Sequence, residues 1–223
     1  MQYLIKITFS ITFLFSLVSS NLSASATQIF EDNVEGVVMV MTEKGLGSGT
    51  IISETGYLLT NWHVIENSSD ISVCVYGFPS FEECVFEVIV IRADPLKDLA
   101  LLKILNPPKK LQPIKISIIV SKTGSKVHAI GHPDGEIWSH TQGYISQQRN
   151  DFLWNYDNEK GREFKFESDV YQMQTPMHSG NSGGPLLNDH GNLIGINTFG
   201  IIDTAFINYA ITAEEILRFL IRR

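Results

Sequence analysis

The chain has 223 residues, of which 43% are hydrophobic and 17 are glycine. This composition is that of an ordinary globular protein and excludes a disordered or fibrous one. The 17 basic side chains are outnumbered by 24 acidic ones, giving a net charge of −7, and they form no basic tract. Because nucleic-acid binding depends on clustered Lys and Arg, the composition argues against a nucleic-acid partner.

The first 26 residues have the layout of an export signal. A basic start with Lys6 precedes an apolar core over residues 7–18, and small polar residues follow up to an A-x-A sequence that ends at Ala26. The core is shorter than the roughly 20 residues that span a bilayer, so a cleaved signal is favoured over an uncleaved anchor. We predict that residues 1–26 are a signal peptide. The remaining chain would be periplasmic or secreted and would lack a stable membrane anchor.

Short β-rich runs separated by Gly, Pro, Asn and Asp turns follow this segment, and helical periodicity is nearly absent until the end of the chain. Many short strands at this spacing predict an all-β barrel or sandwich. A Pro-Pro loop near the middle suggests two six-stranded lobes. The first set of runs covers residues 36–42, 49–53, 57–60, 71–76, 85–92 and 100–104. The second set covers residues 126–130, 141–147, 152–156, 163–167, 171–175, 185–187, 193–198 and 208–210.

A capping box predicts one C-terminal helix. Thr212 stands at the N-cap position, and Glu215 follows three residues later. The next apolar residues are at helical spacing, which places the helix at about residues 212–222.

The two cysteines, Cys74 and Cys84, are expected to form a disulfide, because an even count in an exported chain favours pairing. Pairing two strands about Pro79 would place residue 74 opposite residue 84 in a β-hairpin. Two thiols without a histidine at ligand spacing do not complete a zinc site, so no metal site is expected.

Three motifs carry the chemistry of the chain. His63 ends an apolar strand, Asp98 stands at the start of another, and Ser182 lies within Gly-Asn-Ser-Gly-Gly. Each has an ordinary alternative: a core histidine, a strand-capping aspartate, a simple glycine loop. Together, in this chain order, they match one arrangement of the Ser-His-Asp triad and differ from that of the α/β-hydrolases and subtilisins.

These motifs resemble those of the HtrA/Deg kind of trypsin-fold serine protease. The resemblance runs from about residue 37 to the C-terminal helix. It rests on the segments at residues 47–52, 60–64, 98–103, 131–133, 174–186 and 191–198. It implies two perpendicular six-stranded β-barrels, at about residues 35–105 and 114–211, with an active site between them. Only the protease part of the family, residues 27–223, is represented, and we expect no PDZ domain in this sequence.

Carried over to this sequence, the resemblance makes Ser182 the nucleophile, His63 the general base and Asp98 the residue that orients the imidazole. Asp94 is the local competitor for the acidic role. It precedes a proline at a turn, whereas Asp98 abuts a buried strand, so Asp98 is preferred. The backbone N–H groups of Gly180 and Ser182 are the expected oxyanion hole.

The family's substrate preference cannot be carried over to this sequence in the same way, because Pro176 stands where many relatives have an acidic residue. We place Met177, His178 and Thr198 at the primary specificity pocket. The absence of an acid there argues against a basic residue before the scissile bond. His132, within Gly-His-Pro, is expected to support a turn.

The resulting prediction is an exported serine endopeptidase that acts through an acyl-enzyme on Ser182, without metal or organic cofactor. Its substrates would be proteins or peptides, cut in unfolded or flexible segments. One alternative is a catalytically silent binding or chaperone-like protein on the same fold. The other is an enzyme activated by a partner, with residues 150–169 as the candidate switch.

Overall fold

The computed structural model describes residues 24–107, 111–157, 163–200 and 206–222. These residues form two closed antiparallel barrels of six strands each, followed by a helix. The first barrel contains β1 (Val37–Thr42), β2 (Gly45–Ile51), β3 (Tyr57–Thr60), β4 (Ile71–Val75), β5 (Val85–Asp94) and β6 (Leu99–Ile104). The second contains β7 (Lys126–Gly131), β8 (Ser139–Asp157), β9 (Glu163–Met173), β10 (Pro185–Asn188), β11 (Leu193–Gly200) and β12 (Asn208–Thr212). The predicted two-barrel fold with a C-terminal helix is confirmed.

The first barrel closes in the order β1-β2-β3-β6-β5-β4. Its interior is filled by aliphatic side chains with no solvent exposure, among them Val38, Val40, Leu58 and Leu102. Burial of each such side chain contributes about 1.5–3 kcal/mol. Gly49 lies against this core, and a Cβ there would come within 2.8 Å of Val38 and of Leu58. The packed interior therefore provides a rigid support for the strand ends that form the site.

The second barrel has the six strands predicted for it, but two of them are longer than the runs read from the sequence. β8 joins the predicted runs 141–147 and 152–156, and β9 joins 163–167 and 171–175. Two register shifts, one of them next to Asp151 with φ of 48°, let β8 bend without ending. The turn-forming residues that suggested strand ends lie at β-bulges within the strand. Eight predicted runs thus become six strands.

A helix that the periodicity did not reveal, α1 (Ala26–Asn33), precedes the first barrel. Its N-cap is Ser25, whose hydroxyl accepts the Gln28 N–H at 3.1 Å, and its Ile29 is buried. The predicted cleavage point after Ala26 falls within the first turn of this helix. Residues 1–23 of the predicted export signal lie outside the described residues.

The predicted C-terminal helix is present as α4 (Ala213–Ile221). Thr212 caps it by accepting the Glu215 N–H at 3.3 Å. None of the helices in the described ranges has the length and apolarity needed to cross a bilayer.

Cys74 and Cys84 are joined by a disulfide, but the expected hairpin geometry is wrong. Cys74 on β4 faces Val85, and Cys84 ends the one-turn helix α3 (Phe81–Cys84). Ser80 caps that turn by accepting the Glu83 N–H at 3.4 Å, which favours a helical turn over a continued strand. The disulfide therefore joins a strand to the end of a helical turn.

Candidate active site

Strand pairing in the first barrel brings His63 next to Asp98. β3 and β6 are neighbouring antiparallel strands, and Thr60 pairs with Ala100. The residues that follow β3 therefore meet the residues that precede β6 at one end of the barrel. His63 lies on the one-turn helix α2 (Trp62–Ile65), directly after β3. Asp98 directly precedes β6, in a left-handed conformation with φ of 53°. Two residues 35 positions apart thus become neighbours.

The Asp98 carboxylate is fully buried and accepts three hydrogen bonds. The backbone N–H of His63 donates to Oδ1 at 3.0 Å, and the ring Nδ1 lies 3.0 Å from Oδ1 and 2.9 Å from Oδ2. The Thr198 hydroxyl donates to Oδ2 at 2.7 Å. Because an ionised carboxylate only accepts, Nδ1 of His63 carries a proton and Nε2 is left as the basic nitrogen.

Asp94, the competing aspartate, is part of a turn. Its Oδ1 accepts the backbone N–H groups of Leu96 at 3.1 Å and Lys97 at 3.2 Å. Its Oδ2 lies 3.8 Å from an Arg222 nitrogen. These contacts support the preference for Asp98 at the histidine.

Ser182 lies on a glycine-framed turn before β10 of the second barrel. Gly183 has φ of 88°, and a Cβ there would lie 2.0 Å from the Ser48 carbonyl oxygen, so only glycine fits. The Ser182 hydroxyl donates to the Thr198 carbonyl oxygen at 2.7 Å. Thr198 therefore contacts Asp98 through its side chain and Ser182 through its backbone.

His63 and Ser182 line one open cleft of about 680 Å³. Its other walls include Leu46, Gly180 and Asp134. Glu43 also lines it, and a hydrogen bond from the backbone N–H of Ser69 lowers the pKa of that carboxyl. The serine and the histidine are therefore accessible from the same cleft.

The backbone around Ser182 directs two N–H groups away from the protein's own acceptors. The Ser179 carbonyl accepts the Asp134 N–H at 2.7 Å, and the Asn181 carbonyl accepts the Gly184 N–H at 3.0 Å. In a trans peptide the N–H points opposite to the C=O, so the N–H groups of Gly180 and Ser182 point the other way. Within the described parts of the chain, neither has an acceptor.

The three residues predicted for the specificity pocket have different surroundings. The Thr198 side chain is directed at Asp98, because its hydroxyl is needed as a donor to that buried carboxylate. His178 is largely exposed and lies 3.4 Å from Asp134. Met177 packs partly against the second barrel's core. The specificity pocket stays a prediction for Met177, His178 and Thr198.

Sequence reasoning missed several residues that support the site. Thr198 is predicted for the specificity pocket and not as a partner of Asp98. Asn61, which no motif singled out, donates from Nδ2 to the Asp98 carbonyl oxygen at 3.0 Å. His132, expected only at a turn, is fully buried and lies 2.9 Å from the Ser48 hydroxyl. Their partners are 37 and 84 residues away. Only the fold brings such pairs together. The signal in the sequence was that polar residues stand within apolar segments, where a buried polar group needs a hydrogen-bond partner.

A family model described as "Trypsin-like peptidase domain" matches residues 47–196. The serine endoprotease DegS of Haemophilus influenzae is 35% identical over 185 residues, which cover 79% of this chain and 50% of that protein. A probable periplasmic serine endoprotease, DegP-like, of Buchnera aphidicola is 37% identical over 171 residues, which cover 73% of this chain and 33% of that protein.

The same similarity appears in three dimensions. The solved structure of the serine endoprotease from Yersinia pestis matches with a TM-score of 0.71 and 30% identity, covering 90% of this chain and 66% of that one. This chain thus spans between a third and two thirds of the length of the proteins compared with it.

Proposed function

Since this chain belongs to the family of trypsin-like peptidase domains, with HtrA/DegS serine proteases as relatives, we propose that it is a serine endopeptidase with Ser182 as nucleophile. The observation that carries the proposal is the buried Asp98 carboxylate bonded to His63 Nδ1, together with the cleft that His63 and Ser182 both line. Such an arrangement activates a serine for acyl transfer.

In the proposed reaction, the Ser182 hydroxyl first turns from the Thr198 carbonyl oxygen toward His63. His63 Nε2 then takes the proton as Oγ bonds to the substrate carbonyl carbon. Asp98 stabilises the imidazolium that forms, and Thr198 keeps the carboxylate in place. His63 then gives the proton to the leaving nitrogen, the C–N bond breaks, and an ester on Ser182 remains. Water attacks this ester by the same route, with His63 again as base. The serine is thereby restored.

The N–H groups of Gly180 and Ser182 would stabilise the negative oxygen that develops in each tetrahedral intermediate. Their orientation is supported by the hydrogen bonds that hold the carbonyls of Ser179 and Asn181 on the opposite side. Donors held in place before the reaction need no reorganisation as charge develops, and one such donor is worth about 10²–10³-fold in rate.

We further propose that cleavage after Ala26 makes Thr27 the first residue of the mature protein, which is exported to the periplasm or secreted. The N-terminal layout supports this location, as does the name of the periplasmic DegP-like relative. The substrates are proposed to be proteins or peptides, cut in flexible segments that can enter the open cleft.

Labelling with a fluorophosphonate, followed by cleavage of unfolded casein, tests this function. Rapid covalent labelling at Ser182, absent from Ser182→Ala, is the expected result. Labelling that appears only with an added partner would favour the partner-activated alternative. A folded protein that neither reacts nor cleaves under any condition would refute the endopeptidase proposal in favour of the silent binding protein.

A further inference from the structure

The turn that carries Ser182 belongs to the second barrel, but strand β2 of the first barrel holds its carbonyl groups. The Ser48 N–H donates to the Ser182 carbonyl at 2.8 Å, and the Thr50 hydroxyl donates to the Gly183 carbonyl at 3.1 Å. The Ser48 hydroxyl donates to the Gly180 carbonyl at 2.7 Å. The conformation of the turn is thus set by contacts from across the cleft.

The Ser48 hydroxyl has a second partner, His132, whose Nδ1 lies 2.9 Å away. A carbonyl only accepts, so the single hydroxyl proton of Ser48 goes to Gly180, and the hydroxyl oxygen accepts a proton from His132 Nδ1. Both side chains are fully buried. The hydrogen bonds therefore run in one direction, from His132 through Ser48 to Gly180.

The surroundings keep His132 neutral and immobile. Burial lowers the pKa of His132 to about 4, and its ring packs edge-on against Trp138 with centroids 5.1 Å apart. Within the described ranges, its Nε2 is buried and has no hydrogen-bond partner, as expected when the ring's one proton is on Nδ1. Gly131 leaves room for the hydroxyl, because a Cβ there would lie 2.9 Å from Ser48 Oγ.

We propose that Ser48 and His132 are positioning residues for the oxyanion hole, acting through the Gly180 carbonyl. This inference rests on the proposed function. Neither side chain would touch the substrate.

The physical reason lies in the peptide that links Gly180 to Asn181. Its C=O is held by Ser48, and its N–H donates to the His178 carbonyl at 3.1 Å. Gly180 has φ of 96°, and as a glycine it has no Cβ to restrict rotation on either side. Without the Ser48 proton, the buried Gly180 carbonyl would lose its donor and rotate toward another one. The Gly180 N–H, one of the two proposed oxyanion donors, lies on the preceding peptide, which joins this one at the Gly180 Cα. A compensating change in the Gly180 φ angle would turn that N–H away from the hole.

The test compares Ser48→Ala, His132→Leu and His132→Asn with the wild type. Asparagine carries its amide on Cγ, as histidine carries Nδ1, so it can still donate to Ser48. Ser117→Ala is the matched control, since it also deletes a nearly buried hydroxyl that donates to a carbonyl, that of Ile119 at 3.1 Å. Each variant is measured at matched folded concentration.

We expect Ser48→Ala to lower kcat about 10- to 100-fold, somewhat less than the loss of a whole oxyanion donor, with KM changed less than about threefold. His132→Leu should lower kcat by a smaller factor, of at least about threefold, because Ser48 keeps its proton but loses the donor that orients it. Affinity for a peptide aldehyde should fall by the same factor, because its hemiacetal oxygen occupies the hole. His132→Asn should stay within about threefold of wild type, and Ser117→Ala should keep the wild-type kcat. Wild-type kcat and aldehyde affinity in folded Ser48→Ala would overturn the proposal.

NMR of the imidazole nitrogens tests this inference independently of the proposed function. The signal of His132 is assigned by its absence from His132→Asn. The expected result is a proton on His132 Nδ1 that exchanges slowly in the wild type and faster in Ser48→Ala. A proton on Nε2 instead would overturn the pairing whether or not the protein cleaves. If Nδ1 is protonated but the wild type neither labels nor cleaves, the endopeptidase function fails, and with it the catalytic role of the pair.

Discussion

Replacing Asp98 by asparagine tests the acidic position with little change in shape. Oδ1 of Asp98 accepts the backbone N–H of His63, so the new amide oxygen must take this position. The new NH₂ group then replaces Oδ2, 2.9 Å from His63 Nδ1 and 2.7 Å from the Thr198 hydroxyl. It would donate to Nδ1, which places the imidazole proton on Nε2. In that tautomer His63 cannot accept the Ser182 proton.

The size of this loss is taken from trypsin, where the same change lowers kcat about 10⁴-fold. That factor corresponds to about 5.4 kcal/mol of transition-state stabilisation. We expect a similar decrease in kcat for Asp98→Asn, with the fold intact because the substitution is isosteric.

Asp94→Asn is the matched control. Its amide oxygen can still accept the N–H groups of Leu96 and Lys97, and only the long, solvent-facing contact with Arg222 is weakened. Surface ion pairs contribute about 0–1 kcal/mol, so activity should change less than about threefold. The assay is kcat/KM on a peptide substrate with active sites titrated by phosphonate. Equal damage from both substitutions, or an Asp98→Asn enzyme within tenfold of wild type, would refute the assignment.

Three further predictions concern the rest of the chain. Reduction of the Cys74–Cys84 bond, which closes a loop of sequence separation 10, should lower the free energy of unfolding by roughly 2–3 kcal/mol, and two thiols titratable in the native exported protein would contradict the bond. Burial lowers the pKa of both His128 and His132 to about 4. Unfolding should therefore take up protons and become easier as the pH falls from about 6.5 to 4, as urea denaturation at several pH values would reveal, whereas a free energy of unfolding constant over that range would contradict it. Intact mass of the exported protein should place its N-terminus at Thr27, and a mass that retains the first 26 residues would exclude cleavage.

Local patterns in the sequence were sufficient for the fold class and for proposing the three candidate site residues. Glycines around Ser182, a histidine after an apolar strand and an aspartate before another are visible in short segments. The capping box at Thr212 likewise predicted α4, because helix caps are local interactions. Each of these features depends on neighbours within a few positions.

The sequence was less informative about β8 and α1, where contacts with distant residues matter more than local sequence signals. Gly and Asp residues inside β8 suggested strand ends, but pairing with β9 along its whole length keeps the strand continuous through its bulges. The short α1 contains few apolar residues and is stabilised by its cap and by packing of Ile29. In both places tertiary contacts outweigh local preference.

Only the tertiary structure decided which polar residues support the candidate site. Thr198 is 100 residues from Asp98, and Ser48 is 132 residues from Gly180, so no spacing in the chain links them. They meet because closure of the two barrels brings β2 and β11 against the same turn. Once they are buried there, each polar group must find a hydrogen-bond partner within reach, since an unpaired one costs about 1–3 kcal/mol. The sequence by itself determined the fold class and the candidate reacting groups, and barrel packing determined which polar partners lie against them.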